Sequence, residues 1–168
     1  MNYTETDTLL KLSNISLKYG KKLILRDINL EIKDIVKENT TTGQIITVLG
    51  RSGVGKSQLF SLITGLNEPT TGEILIGRKQ IPTHSGLVGL IMQNYPIFEH
   101  RTVLGNLKLV CNDKNKIEQY LEDFEMYEHK SKYSRQLSGG QKQRVAIIQQ
   151  LLSSEHFILF DEPFSSLD

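Results

Sequence analysis

The sequence has a single cysteine, no tryptophan and four prolines among 168 residues. One cysteine, Cys111, excludes an internal disulfide and is typical of a reducing compartment. A formal net charge of +1 argues against a protein that binds nucleic acid through bulk charge. No apolar run approaches the ~18 residues of a membrane-spanning helix, and the amino terminus has no basic segment of the signal-peptide kind. We therefore expect a soluble cytoplasmic protein that reaches a membrane only through a partner.

One run of residues fits the pattern that binds nucleotide phosphates, Gly50-Arg51-Ser52-Gly53-Val54-Gly55-Lys56-Ser57. Apolar residues 45–49 precede this phosphate loop and predict a buried strand, and residues 58–66 follow it and predict a helix. Glycines let successive backbone N–H groups turn toward phosphate oxygens, and the helix adds its positive N-terminal end. Lys56 would reach the β- and γ-phosphates, and the Ser57 hydroxyl would ligate Mg²⁺. A glycine-rich turn alone also fits the pattern, but the flanking elements favour phosphate binding.

Hydrophobic spacing outlines the rest of the chain. Alternation over residues 10–19 and 23–32, around a turn at residues 20–22, predicts antiparallel strands ahead of the phosphate loop. Residues 33–43 are polar and predict a loop of unknown role. Further patterns predict strands at residues 72–77, 86–92 and 157–160, and helices at residues 103–110, 117–127 and 141–152.

A second motif, Leu137-Ser138-Gly139-Gly140-Gln141, precedes the last predicted helix, with Ser138 as a good N-cap. The last apolar strand ends in Asp161-Glu162-Pro163, and strand carboxyl ends line ligand crevices in parallel sheets. With these motifs in this order, the chain resembles the ATP-binding cassette (ABC) ATPases from Leu10 to Asp168. The resemblance implies an α/β P-loop fold with a mostly parallel core sheet flanked by helices, an N-terminal antiparallel β region and a small helical subdomain.

The resemblance also implies roles for single residues. Asp161 would lie on the Mg²⁺ side, Glu162 would be the catalytic base, and Gln93 would reach both the Mg²⁺ and the attacking water. Tyr19 would stack on adenine, although an aromatic at a strand end more often serves packing. Residues 138–141 of one subunit would close over ATP bound to residues 50–57 of a second, and Asp168 would couple the two sites. Residues 93–98 resemble importer-type cassettes, in which this surface meets a permease, although Tyr95, Pro96 and Phe98 also fit a core.

Three departures from the family pattern qualify the implied activity. Gln58 stands where relatives have Ser or Thr, which removes a hydroxyl near the α-phosphate, and Gln149 replaces a charged residue that has local contacts. All four histidines precede Asp161, so none fills the family's switch position. We therefore expect one ABC domain over residues 1–168, with a helical subdomain at about residues 100–150, that is a fragment or a truncated cassette.

The favoured function is the ATPase subunit of a membrane transporter of the importer type, working as a homodimer with permease subunits, ATP and Mg²⁺. Two alternatives stay open: a nucleotide-binding module with little or no hydrolysis, and a soluble non-transport ABC protein. The transported substrate is outside what the sequence specifies, because the permease and binding protein set it.

Overall fold

The computed structural model describes residues 3–37, 40–41, 43–92, 97–154 and 156–161. Contacts divide the chain into two compact units, Met1–Leu87 and Val88–Asp168. None of the helices in the described residues is long and apolar enough to cross a membrane.

The first unit is built on an antiparallel hairpin of two long strands, β1 (Tyr3–Tyr19) and β2 (Lys22–Lys37). The short strands β3 (Thr40–Thr41), β4 (Thr71–Ile76) and β5 (Ile81–Pro82) complete a five-stranded sheet in the order β3-β2-β1-β4-β5. Helix α1 (Lys56–Ile63) belongs to the same unit. The predicted antiparallel region and its turn are confirmed, with Gly20 at φ +58° in the hairpin.

The inward face of β1 changes phase halfway along the strand. Leu10 and Leu12 are buried at even positions, whereas Ile15 and Leu17 are buried at odd positions. The change falls at a register shift between Leu12 and Ile15, where Asn14 has φ +52°. A bulge of this kind turns the following side chains to the other face. It keeps both halves of the alternating pattern on the core.

The predicted loop at residues 33–43 is wrong in its first part. Strand β2 continues to Lys37, and Val36 and Ile35 pair with Thr4 and Glu5 of β1. The polar composition misled the prediction because pairing with a neighbouring strand satisfies the backbone of a strand, whatever its side chains.

The predicted buried strand at residues 45–49 is also wrong in this structure. These residues form no strand, and the side chains of Ile45 and Leu49 are 96% and 89% exposed. A strand that is apolar on both faces needs neighbouring strands and covering helices. The described strands of the first unit pair only within the antiparallel sheet, so this segment has no ladder to join.

The second unit combines a short parallel pair with helices. Strands β6 (Gly89–Ile91) and β7 (Ile158–Phe160) pair in parallel, and the helices are α2 (Val103–Leu107), α3 (Lys114–Asp123) and α4 (Gly139–Ser153). Two 3-10 turns, Tyr127–His129 and Ser134–Gln136, lie between α3 and α4. The three predicted helices are confirmed, each with shifted ends. The buried core of this unit comprises Ile97, Val103, Leu107, Ile117, Leu121, Met126, Leu137, Val145, Ile148 and Leu152.

Candidate functional site

The phosphate loop leads directly into α1. Gly53 has φ +78° and Gly55 has φ +101°, backbone conformations that side chains other than glycine rarely adopt. At Gly55 a Cβ would also lie 2.9 Å from Leu25 Cδ2, so the end of that leucine side chain would have to shift. The glycine pattern at these two positions is therefore a requirement of the loop's shape.

Lys56 folds back over the phosphate loop at the start of α1. Its Nζ donates hydrogen bonds to the carbonyl oxygens of Gly50 at 2.9 Å and Arg51 at 3.0 Å. Gly55 is the N-cap of α1, and no side chain caps the helix there. The uncapped end of a helix offers N–H groups and a positive dipole to an anion, and the ammonium adds a full charge. The Ser57 side chain is exposed beside them.

Tyr19 ends β1 with its ring half exposed. Its hydroxyl lies 2.7 Å from Gln58 Oε1 and 2.8 Å from Asn67 Nδ2. The predicted aromatic is thus connected to the first turn of α1 by a side chain that the sequence marked only as a departure from the family. Asn67 was missed, because an asparagine after a helix normally indicates only a turn.

The second motif forms the start of α4. Ser138 is the N-cap, its Oγ accepts from the Gln141 N–H, and Gln141 Oε1 accepts from the Ser138 N–H at 3.0 Å. This reciprocal pair is a capping box, which confirms the predicted N-cap. A Cβ at Gly139 or Gly140 would meet nothing within 4 Å. Packing within the described residues does not require glycine there, which leaves the backbone open to a close approach from outside.

His129 is hydrogen-bonded to the start of α4. Gln141 Nε2 lies 2.8 Å from His129 Nε2, and because the amide Nε2 is a donor, the histidine nitrogen accepts. His129 Nδ1 is buried and has no hydrogen-bond partner among the described residues. Sequence reasoning treated His129 only as a histidine unable to fill the switch position, since its position beside Gln141 depends on the fold of residues 124–138.

Gln149, the replacement for a charged residue, makes a contact of its own within the second unit. Its side chain is 9% exposed, and its Nε2 donates to the Asn106 carbonyl oxygen at 3.2 Å. Asn106 is fully buried and its side chain bonds to backbone groups of Phe98, Arg101 and Thr102. A neutral amide suits this site, because a buried charge without a partner would be costly.

Asp161 follows β7, where its N–H donates to the Ile91 carbonyl oxygen at 2.9 Å and so extends the parallel ladder with β6. It therefore stands at the carboxyl end of a parallel strand, as predicted. Gln93, Glu162 and Asp168 lie outside the described residues, as do Tyr95 and Pro96. The phosphate loop and Tyr19 belong to the first unit, and residues 138–141 and Asp161 belong to the second.

Comparison with known proteins gives consistent matches. A family model described as "ABC transporter" matches residues 34–165. The chain is 38% identical to the spermidine/putrescine import ATP-binding protein PotA of Spiroplasma citri, over 95% of this chain and 47% of that protein. It is 37% identical to the maltose/maltodextrin import ATP-binding protein MalK of Yersinia pestis, over 94% of this chain and 43% of that protein.

Solved structures agree with these matches. The chain is similar to cbiO1 of Clostridium perfringens, described as part of the ABC transporter complex cbiONQ, with a TM-score of 0.79 and 27% identity. That similarity covers 97% of this chain and 68% of cbiO1. The chain spans less than half the length of the curated relatives it matches, 47% and 43% of them.

Proposed function

Because this chain belongs to the ABC transporter family, we propose that it binds and hydrolyses ATP to energise a membrane transporter of the importer type. The similar curated proteins are named as import ATP-binding proteins, which favours import over export. In this role the protein works at the cytoplasmic face of a membrane, held there by permease subunits.

The observation that carries the proposal is the arrangement at the start of α1. Lys56 Nζ is held over the loop by the carbonyl oxygens of Gly50 and Arg51, beside a helix end with no side-chain cap. The β- and γ-phosphates of ATP carry the negative charge that complements this ammonium and these N–H groups. Residues 50–57 bind the phosphates, Tyr19 stacks on the adenine, and Gln58 belongs to the nucleotide site through its hydrogen bond to Tyr19.

The same loop fits a magnesium ion carried by the nucleotide. Mg²⁺ bound with phosphates needs only one or two protein ligands, and the exposed Ser57 hydroxyl is a suitable one. Asp161 and Gln93 are the further proposed ligands. When bound, Mg²⁺ neutralises the charge on the β- and γ-phosphate oxygens. Among the described residues, no group of three or more His, Cys, Asp or Glu side chains is placed to hold a metal ion.

Glu162 is the proposed catalytic base, which accepts a proton from the attacking water. The start of α4 completes the site in a head-to-tail homodimer, in which residues 138–141 of one subunit meet ATP bound to the other. The open surface at Gly139 and Gly140 supports that approach. Asp168 then couples the two sites of the dimer.

The proposed permease contact lies beyond β6, over residues 93–98. Within it, Ile97 is buried in the core of the second unit, whereas Phe98 is 53% exposed and meets His100 edge to face at 5.9 Å between ring centroids. Because more than half of Phe98 is exposed, the core alternative does not fit this residue, and its ring is accessible to a partner.

The test of this function is ATP hydrolysis by the parent chain and by Glu162→Gln. We expect the variant to bind ATP normally and to release phosphate about 100-fold more slowly, as for loss of a general base. Glu128→Gln, an exposed carboxylate in a 3-10 turn, is the matched control. Equal turnover by Glu162→Gln would contradict the catalytic assignment, and binding without phosphate release by the parent would favour a nucleotide-binding module.

A further inference from the structure

We propose that Gln58 and Asn67 are positioning residues that hold the Tyr19 ring in place for a nucleotide base. The inference rests on the proposed function, in which Tyr19 stacks on the adenine, and adds what orients the ring. It assigns a purpose to Gln58, which the sequence marks only as a replacement for Ser or Thr.

The hydrogen bonds of the three side chains have one consistent assignment. Asn67 Oδ1 accepts from the Glu68 N–H at 3.0 Å, so its Nδ2 must face the Tyr19 hydroxyl and donate to it at 2.8 Å. The Tyr19 hydroxyl then gives its own proton to Gln58 Oε1 at 2.7 Å. Each bond fixes the direction of the next, so the hydroxyl has both a donor and an acceptor in place.

The three residues come from three different parts of the first unit. Tyr19 ends β1, Gln58 is in the first turn of α1, and Asn67 lies in the turn after α1. The same turn is tied to β1 a second time, because Thr70 Oγ1 accepts from the Lys18 N–H at 2.9 Å. The ring therefore cannot rotate out of place without breaking two hydrogen bonds.

Gln58 also connects the ring to the phosphate loop. It follows Lys56 and Ser57 directly on α1, so the element that positions the phosphate ligands also positions the aromatic side chain. A half-exposed ring can present a face to a base, and a ring already held in place loses less freedom on binding. This gain in affinity is expected only for ligands that carry a base.

The test compares ATP with inorganic tripolyphosphate, each with Mg²⁺, as ligands of the full chain. We expect Gln58→Leu to weaken ATP binding about fivefold, the effect of one lost hydrogen bond, with tripolyphosphate affinity unchanged. Tyr19→Phe loses the bonds to both Gln58 and Asn67, so it should weaken ATP binding at least as much, again with tripolyphosphate affinity unchanged. The double variant should lose no more than Tyr19→Phe alone, because Tyr19→Phe already removes the bond to Gln58. Tyr120→Phe, a tyrosine of the second unit packed beside Phe124, is the control for loss of a hydroxyl.

Tyr19→Ala separates this inference from the proposed function. If Tyr19→Ala weakens ATP but not tripolyphosphate, whereas Gln58→Leu and Tyr19→Phe change neither, stacking stands and positioning by Gln58 is wrong. Equal losses for both ligands in Gln58→Leu would also overturn positioning. If Tyr19→Ala leaves the ratio of the two affinities unchanged, base stacking fails and the inference fails with it.

Discussion

The two glycine-rich helix starts of this protein are built in opposite ways. Helix α1 begins after Gly55, which has φ +101° and provides no side-chain cap. Helix α4 begins after Ser138, whose side chain and that of Gln141 close a complete capping box. In α1 a Cβ at Gly55 would collide with Leu25, whereas in α4 a Cβ at Gly139 or Gly140 would touch nothing within 4 Å.

The difference indicates which helix end depends on a ligand within its own unit. The first turn of α1 is left without a side-chain acceptor and has a lysine beside it, so an anion is the partner that suits it. The first turn of α4 has a side-chain cap of its own, in which Ser138 Oγ accepts from the Gln141 N–H, so this helix start is formed without a ligand. Under the proposed function, the first end binds phosphates and the second end approaches them from another subunit.

The largest expected effect that separates the two helix starts is that of Lys56→Ala on nucleotide binding. Removing the ammonium from the phosphate loop should weaken ATP binding on the order of 100-fold, because charged hydrogen bonds to phosphate are lost. Isothermal titration calorimetry measures the affinity. The control is Lys21→Ala, which removes an equal charge from the exposed hairpin turn. Normal ATP affinity in Lys56→Ala would refute the phosphate site.

A smaller effect is expected from glycine substitutions within the phosphate loop. Gly55→Ala should lower the free energy of unfolding by about 2 kcal/mol, since it combines backbone strain with a 2.9 Å contact to Leu25. Gly53→Ala is the matched control, because it has positive φ with nothing within 4 Å of a Cβ, and should cost about 1 kcal/mol. Urea denaturation measures both. Equal costs would show that the close approach to Leu25 does not matter.

The smallest effect is expected at the capped helix. Ser138→Ala should lower the free energy of unfolding by about 1 kcal/mol, the usual cost of losing an N-cap, and Ser138→Asp should restore it. ATP affinity of the isolated chain should not change, since the phosphate loop belongs to the other unit. Circular dichroism in urea follows the helix.

The control for this last prediction is Ser153→Ala at the other end of α4, where the hydroxyl makes only a 3.5 Å contact with the Gln150 carbonyl oxygen. An equal loss of stability in the two variants would argue against the capping box as the stabilising feature.

Local patterns predicted much of this structure correctly. The predicted fold class is confirmed by the similarity to ABC transporter subunits of known structure. The N-cap at Ser138, the helix after Lys56 and the strand before Asp161 depend on neighbours within a few residues, and each is found. The roles predicted for Glu162, Gln93 and Asp168 stay predictions, because these residues lie outside the described part of the chain.

Other features could not be predicted because they depend on distant partners. Residues 45–49 have the composition of a buried strand, yet Ile45 is 96% exposed because no described strand pairs with them. His129 is hydrogen-bonded to Gln141, twelve residues later. The Asn106 carbonyl oxygen accepts a hydrogen bond from Gln149 of α4. A sequence window shows the polarity of such residues, but the partner that satisfies them comes from elsewhere in the fold.

By itself, the sequence determined which groups are available: the glycines and lysine of the phosphate loop, the cap residues of α4 and the carboxylates after β7. These follow from backbone freedom, charge and short-range hydrogen bonding, which act within one turn of chain. Only the tertiary structure decided that Lys56 lies over the carbonyl oxygens of Gly50 and Arg51 and that Gln58 turns to Tyr19. The Gln58–Tyr19 contact joins residues 39 apart along the chain, so it exists only once the first unit has folded. The Lys56 contacts depend on the path of the phosphate loop, whose backbone returns to the start of α1 through positive φ at Gly53 and Gly55.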